Sequence, residues 1–210
     1  MSYIENIYIC LAAPLLLAIL CLRKGARQHL IFLLSGMTCC LFSAYVSSFL
    51  AGAVGVELAT ATYEIAPAVE ETIKLLPVLF YLLVFDPDKK TAVSGAMLIA
   101  VGFATFENVC YVTTYGSSEL LRLLIRGFGT GAMHVVCGML MAVGLFFLWD
   151  QVWLLIVGAF ALLCLATRFH AIFNLFVNQD GAVFWIASAL PLTLMLIYLA
   201  FFHRKVDLSR

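Results

Sequence analysis

Glu70-Glu71-Thr72-Ile73-Lys74 lies inside an apolar run from about Thr62 to Phe85, and its reading decides the fold. A charged residue at the middle of a membrane-spanning helix costs about 2.5–3.5 kcal/mol on insertion scales. Three so close together call for a water-filled cavity or a chemical task. At helical spacing Glu70 and Lys74 are i,i+4 neighbours and Glu71 and Lys74 are i,i+3 neighbours, so one ammonium serves two carboxylates. A buried ion pair that merely held helices in register would need one acid. The second is in excess, and a spare buried carboxylate is a candidate general base.

The surrounding composition identifies the solvent. Of 210 residues 64% are hydrophobic and 11% charged, with mean hydropathy +1.07, far outside the range of a soluble domain. The chain is read as an all-α polytopic membrane protein embedded in a lipid bilayer. Its 12 basic and 12 acidic residues balance, which points to no nucleic-acid partner. No repeat, low-complexity tract or long extramembrane stretch interrupts it, so residues 1–210 form a single membrane domain with short loops. Seven cysteines all fall in apolar segments without a Cys-x-x-Cys pair, and they read as small buried hydrophobes. Cys110 and Cys137 lie one turn from Glu107 and His134 and could brush a site there.

Segment one, about Tyr3 to Leu22, lacks a basic leading region and a cleavage motif and reads as a retained helix. Segment two covers about His29 to Val54 and segment three about Thr62 to Phe85, closed by Asp86-Pro87-Asp88-Lys89-Lys90. Segment four, about Thr91 to Tyr115, ends at Gly116-Ser117-Ser118. Segment five, about Leu123 to Trp149, turns at Asp150 into segment six, about Val152 to Val177, and segment seven is about Ala182 to Phe202. Each has the roughly 20 residues that a ~30 Å hydrocarbon core requires, which gives a bundle of about seven transmembrane helices. Arg23, Lys24, Arg27, Lys89, Lys90, Arg204, Lys205 and Arg210 fall on one side, with Arg122 and Arg126 opposite. The expected placement is therefore the plasma membrane with the N-terminus outside and the C-terminus cytoplasmic.

Within the spans the polar residues are few: Glu70, Glu71, Lys74, Glu107, Asn108, Arg126, His134, Arg168, His170 and Asn174. Their depths agree. Glu71 lies about 13 Å from the outer end of its segment, Glu107 about 12 Å, His134 about 16 Å and His170 about 10 Å, at 1.5 Å per residue. Phe103 and Glu107 share a face at i,i+4, as do His170 and Asn174, with Thr167 joining the latter. Arg168 points elsewhere. Gly127, Gly131, His134 and Gly138 form a small-residue stripe that carries His134 toward neighbouring helices. Ionisable groups from four helices at one level mark a functional site.

Two imidazoles and a carboxylate can hold zinc while a further glutamate acts as base. His134, His170 and Glu107 are the expected metal ligands and Glu70 or Glu71 the expected base. No His-Glu-x-x-His motif is present. A metal-free alternative has a glutamate activate water while His170 and the Asn174 amide stabilise the oxyanion.

Glu-Glu-x-x-Lys (Glu70, Glu71, Lys74), Phe-x-x-x-Glu-Asn (Phe103, Glu107, Asn108), the inward His134 and His-x-x-x-Asn (His170, Asn174) together resemble the ordered motifs of the PrsW family of intramembrane proteases. That family is grouped with the CAAX prenyl endoproteases among glutamate-dependent membrane peptidases, and the resemblance spans residues 62–177. CAAX enzymes usually carry arginine and Phe-x-x-x-His where this chain has Lys74 and Glu107, and PrsW relatives are often described with aspartate where Asn174 stands. The resemblance implies hydrolysis of peptide bonds in membrane-anchored regulatory substrates such as anti-sigma factors, with Lys74, Phe103 and Asn108 in support. The competing class is a proton-coupled transporter, whose paths are also lined by glutamate and histidine. Against it stand the lack of an internal repeat and of paired broken helices. A scaffold without activity is the third class. Substrate identity and oligomeric state are left open.

Overall fold

A computed structural model describes residues 4–116, 120–148 and 151–201. Its elements are all helical: α1 (Ile4–Cys21), α2 (Lys24–Val54), α3 (Leu58–Glu64), α4 (Ala66–Phe85), α5 (Lys89–Tyr115), α6 (Leu120–Leu148), α7 (Val152–Val177) and α8 (Ala182–Phe201). Six of them, all but α3 and α4, are long and apolar enough to cross a membrane. The remaining span expected from the sequence corresponds to α4. At 20 residues it is about 30 Å long, and what separates it from the others is its own Glu70, Glu71 and Lys74. The turn expected at Asp150, the stop at Ser117-Ser118 and the basic tail from Arg204 to Arg210 fall outside the described residues.

One boundary differs from the sequence reading. The run beginning at Thr62 is two helices, with the joint at Ile65 and Pro67 at the second position of α4. Proline has no N–H for the carbonyl four residues back and its ring crowds that carbonyl, so α3 cannot continue through it. Pro77 inside α4 similarly frees the carbonyl of Ile73, and the thiol of Cys39 on α2 donates to it at 3.7 Å.

α4 touches α2, α5, α6 and α7. The wall around it is set by glycines. A Cβ on Gly36 would lie 2.0 Å from the carbonyl oxygen of Ile99, and one on Gly102 2.0 Å from that of Leu33. α2 and α5 therefore pack backbone against backbone, which only glycine allows, and they run parallel, since Phe32 meets Gly95 one turn before Gly36 meets Ile99. Gly138 brings α6 onto α5 in the same manner, its Cβ position 3.1 Å from the Ala96 oxygen. Parallel packing also places Arg23, Lys24 and Arg27 at the same end of the bundle as Lys89 and Lys90. At that end Asp88 caps α5, accepting from Thr91 N at 3.0 Å and from its hydroxyl at 2.6 Å. These hydrogen bonds, the hydroxyl's first, hold the Asp88 carboxyl below the usual carboxylate range.

Candidate active site

The Glu70–Lys74 turn of α4 faces three helices at once, so Glu71 and Lys74 each meet a partner from another element. Lys74 Nζ donates to Glu71 Oε1 at 2.7 Å within α4 and to His134 Nδ1 on α6, also at 2.7 Å. Across the site, His170 Nδ1 on α7 donates to the same Glu71 Oε1 at 2.7 Å. His134 Nε2 meets Glu107 Oε2 of α5 at 2.6 Å. The two imidazole rings stand edge to face with centroids 4.9 Å apart. Both histidines are 0% exposed, and Glu71 and Lys74 are also buried.

Each partner dictates a proton position. A carboxylate only accepts, so His170 carries its hydrogen on Nδ1 and keeps a lone pair on Nε2. That Nε2 and Glu70 Oε2 are both buried without a hydrogen-bond partner, 3.6 Å apart. An ammonium only donates, so His134 accepts on Nδ1 and carries its hydrogen on Nε2, toward Glu107. Of the two adjacent acids, Glu71 is engaged by Lys74 and His170 and is 2% exposed, whereas the Glu70 side chain retains 16% and that of Glu107 24%.

Phe103, Asn108 and Asn174 tie the surrounding helices to the cluster. Phe103 is 1% exposed and packs its ring 4.8 Å from that of His134, with Lys74 Nζ 4.8 Å from its centroid. Asn108 donates to the carbonyl of Gly127 at 3.4 Å and ties α5 to α6. Asn174 sits one turn beyond His170, but its amide nitrogen donates to the carbonyl of Thr62 at 3.0 Å and ties α7 to α3. This anchoring of the α3–α4 joint was not foreseen from sequence. Cys137 is buried against the carbonyl of Ala166, 3.7 Å away, and Arg168 is exposed on the outer face of α7.

The donor set fits a divalent cation. One ligand atom from each of Glu70, His134 and His170 lies within 4.8 Å of the other two. Two buried orphaned atoms, one imidazole nitrogen and one carboxylate oxygen, face the same point, and the Glu71 carboxylate behind His170 is the outer support that metal-bound histidines usually have. Glu107, expected among the ligands, pairs with His134 Nε2 at 2.6 Å. Residues 24–202 match the family described as PrsW family intramembrane metalloprotease. No curated protein and no solved structure matches the chain.

Proposed function

Because the chain belongs to the PrsW family of intramembrane metalloproteases, we propose that it cleaves membrane-anchored regulatory proteins, anti-sigma factors among them, at the Glu70–His170 centre of the bundle. The observation that carries this reading is the pair of buried, unpartnered atoms, Glu70 Oε2 and His170 Nε2, aimed at one point beside His134. Glu70, His134 and His170 would hold the ion, and zinc suits two imidazoles and a carboxylate. Bound there, it would supply Lewis-acid polarisation and an activated water.

The remaining steps belong to the chain. Glu107, the most open of the three acids, takes the proton from the attacking water and returns it to the leaving amine, and its contact with His134 holds it in place. Glu71 orients His170, and Lys74 neutralises Glu71 while positioning His134. The roles expected for Glu70 and Glu107 are thus exchanged in this proposal. Asn174 holds α3 against α7 so that Glu70 keeps its aim.

The proposed setting is a plasma membrane with the N-terminus outside, which puts the site in the outer half of the bilayer. Cytoplasm-only reporters fused to each end test this orientation, and a bright N-terminal fusion would reverse it. The function is tested by reconstituting the purified protein with a single-span substrate and measuring cleavage and zinc content together. Stoichiometric zinc with chelator-sensitive cleavage is the expected result. Cleavage that survives prolonged chelation would remove the ion from the mechanism.

A further inference from the structure

We propose that Arg126 on α6 determines specificity by binding a carboxylate side chain of the membrane-anchored substrate, close to the bond cleaved, a role that rests on the proteolytic reading above. The guanidinium lies over the ring of Tyr111 on α5, 3.5 Å from its centroid. Its Nε is buried without a hydrogen-bond partner, and no ion pair involving Arg126 occurs among the described residues. A guanidinium is always charged and only donates. Leaving a buried donor of that kind unpaired is costly, so the group is made for an acceptor from outside the chain. Arg122, one turn nearer the start of α6, is the contrast: it is exposed, yet it is neutralised by Asp180 at 2.9 Å.

Position ties this cation to the reacting centre. Tyr111 and Glu107 are i,i+4 on α5, so the stacked guanidinium stands about 6 Å along the bundle from Glu107. The two are near enough for the charge of Arg126 to act on Glu107. Asn108 donates to the carbonyl of Gly127, the residue after Arg126, and so fixes α6 against α5 at this level. An extended chain covers 6 Å in about two residues, which sets where the substrate acid should stand relative to the cleaved bond. The planar fork of arginine, held flat on an aromatic ring, matches the two oxygens of a carboxylate. A lipid phosphate offers similar chemistry. It would meet Arg126 only from the bilayer, whereas a substrate engaged by Glu107 passes within a turn of it.

The test is a glutamate scan of fluorescent single-span peptides, each with one glutamate in place of glutamine at successive positions, titrated against the full chain in detergent by anisotropy. Affinity should rise about tenfold at one position, the gain expected of a hydrogen bond between charged groups. Arg126→Gln should flatten the profile, and Arg122→Gln should leave it. Mass spectrometry of the products should place the cleaved bond about two residues from the preferred glutamate. A flat profile with the unaltered protein, which needs no variant to fold, or a peak that survives in Arg126→Gln, would overturn the proposal. So would an Arg126→Gln variant that lowers kcat equally for every peptide at unchanged affinity, since Arg126 would then act on Glu107 alone. Loss of the peak on adding phosphatidylglycerol but not phosphatidylcholine would assign the guanidinium to a lipid phosphate instead. Affinity is read without turnover, so peptides that bind with the expected profile and are never cut would refute the proteolytic reading and not the carboxylate site.

Discussion

The site has two halves built on the same residue type, and they are not equivalent. In the α4–α7 half a histidine is backed by a carboxylate, Glu71, and its outward nitrogen is free. In the α5–α6 half a histidine is backed by an ammonium, Lys74, and its outward nitrogen already holds a proton against Glu107. An acceptor behind an imidazole raises its strength as a ligand, whereas a donor behind it favours the opposite tautomer. The partner behind each ring therefore separates a ligand-ready His170 from a His134 suited to moving protons. For His134 to join an ion, its Nε2 hydrogen must pass to Glu107 and the ring must take one on Nδ1 from Lys74.

The carboxylates offer the most severe test of this division. Glu107→Gln should lower cleavage about 10²–10⁴-fold, the usual contribution of a general base, while zinc content stays near that of the unaltered protein. Glu70→Gln should lose zinc and cleavage together, because a site with three protein ligands has none to spare. Zinc content measured on both variants decides the roles: loss in Glu107→Gln with retention in Glu70→Gln would restore the assignment expected from sequence. Lys74→Met should destabilise the fold by about 3–5 kcal/mol, since removing one partner of a buried pair strands the other. Glu71→Gln in addition should restore much of that loss. A single variant that melts like the parent would mean that Glu71 is not charged against Lys74.

Much of this site is legible in the sequence, for identifiable reasons. Lipid admits so few polar side chains that Glu70, Glu71, Lys74, Glu107, His134 and His170 could be selected by residue type, and helical rise placed them at one depth. Periodicity gives a depth and a face but not which atom on a neighbouring helix is met. It could not tell that Lys74 reaches across to His134 or that Asn174 turns to Thr62. The break at Ile65 is signalled by Pro67, which has no N–H to continue α3. Gly36 and Gly102 carried a signal that was overlooked: glycines on two apolar helices, which the structure presses against each other's backbone. That seam turns the Phe103 side inward and so sets the wall behind His134.

A subtler test compares what stands behind each histidine. Glu71→Gln should weaken zinc binding about 10–100-fold, as the loss of a second-sphere carboxylate usually does, with His170 still in place. Lys74→Gln should not lower zinc affinity, because it removes the donor that opposes ligation by His134. Competition against a fluorescent zinc chelator reads both. A drop in Lys74→Gln as large as that in Glu71→Gln would erase the distinction between the halves.

Asn174 carries the smallest expected effect and the finest discrimination. It lies one turn from His170, so a direct role would place its amide on the oxyanion, and losing such a donor costs about 10²–10³ in kcat. In the structure that nitrogen bonds the carbonyl of Thr62, which makes Asn174 a tie between α7 and the α3–α4 joint. A single neutral hydrogen bond contributes about 0.5–1.5 kcal/mol, so Asn174→Ala should lower the melting temperature slightly and reduce kcat less than tenfold. Asn174→Asp cannot donate to Thr62 and should behave like the alanine variant. A hundredfold fall in kcat at an unchanged melting temperature would move Asn174 from the scaffold to the reacting centre. His170 would then stand beside a second catalytic side chain on its own helix, and the α4–α7 half would carry both the ion and the oxyanion.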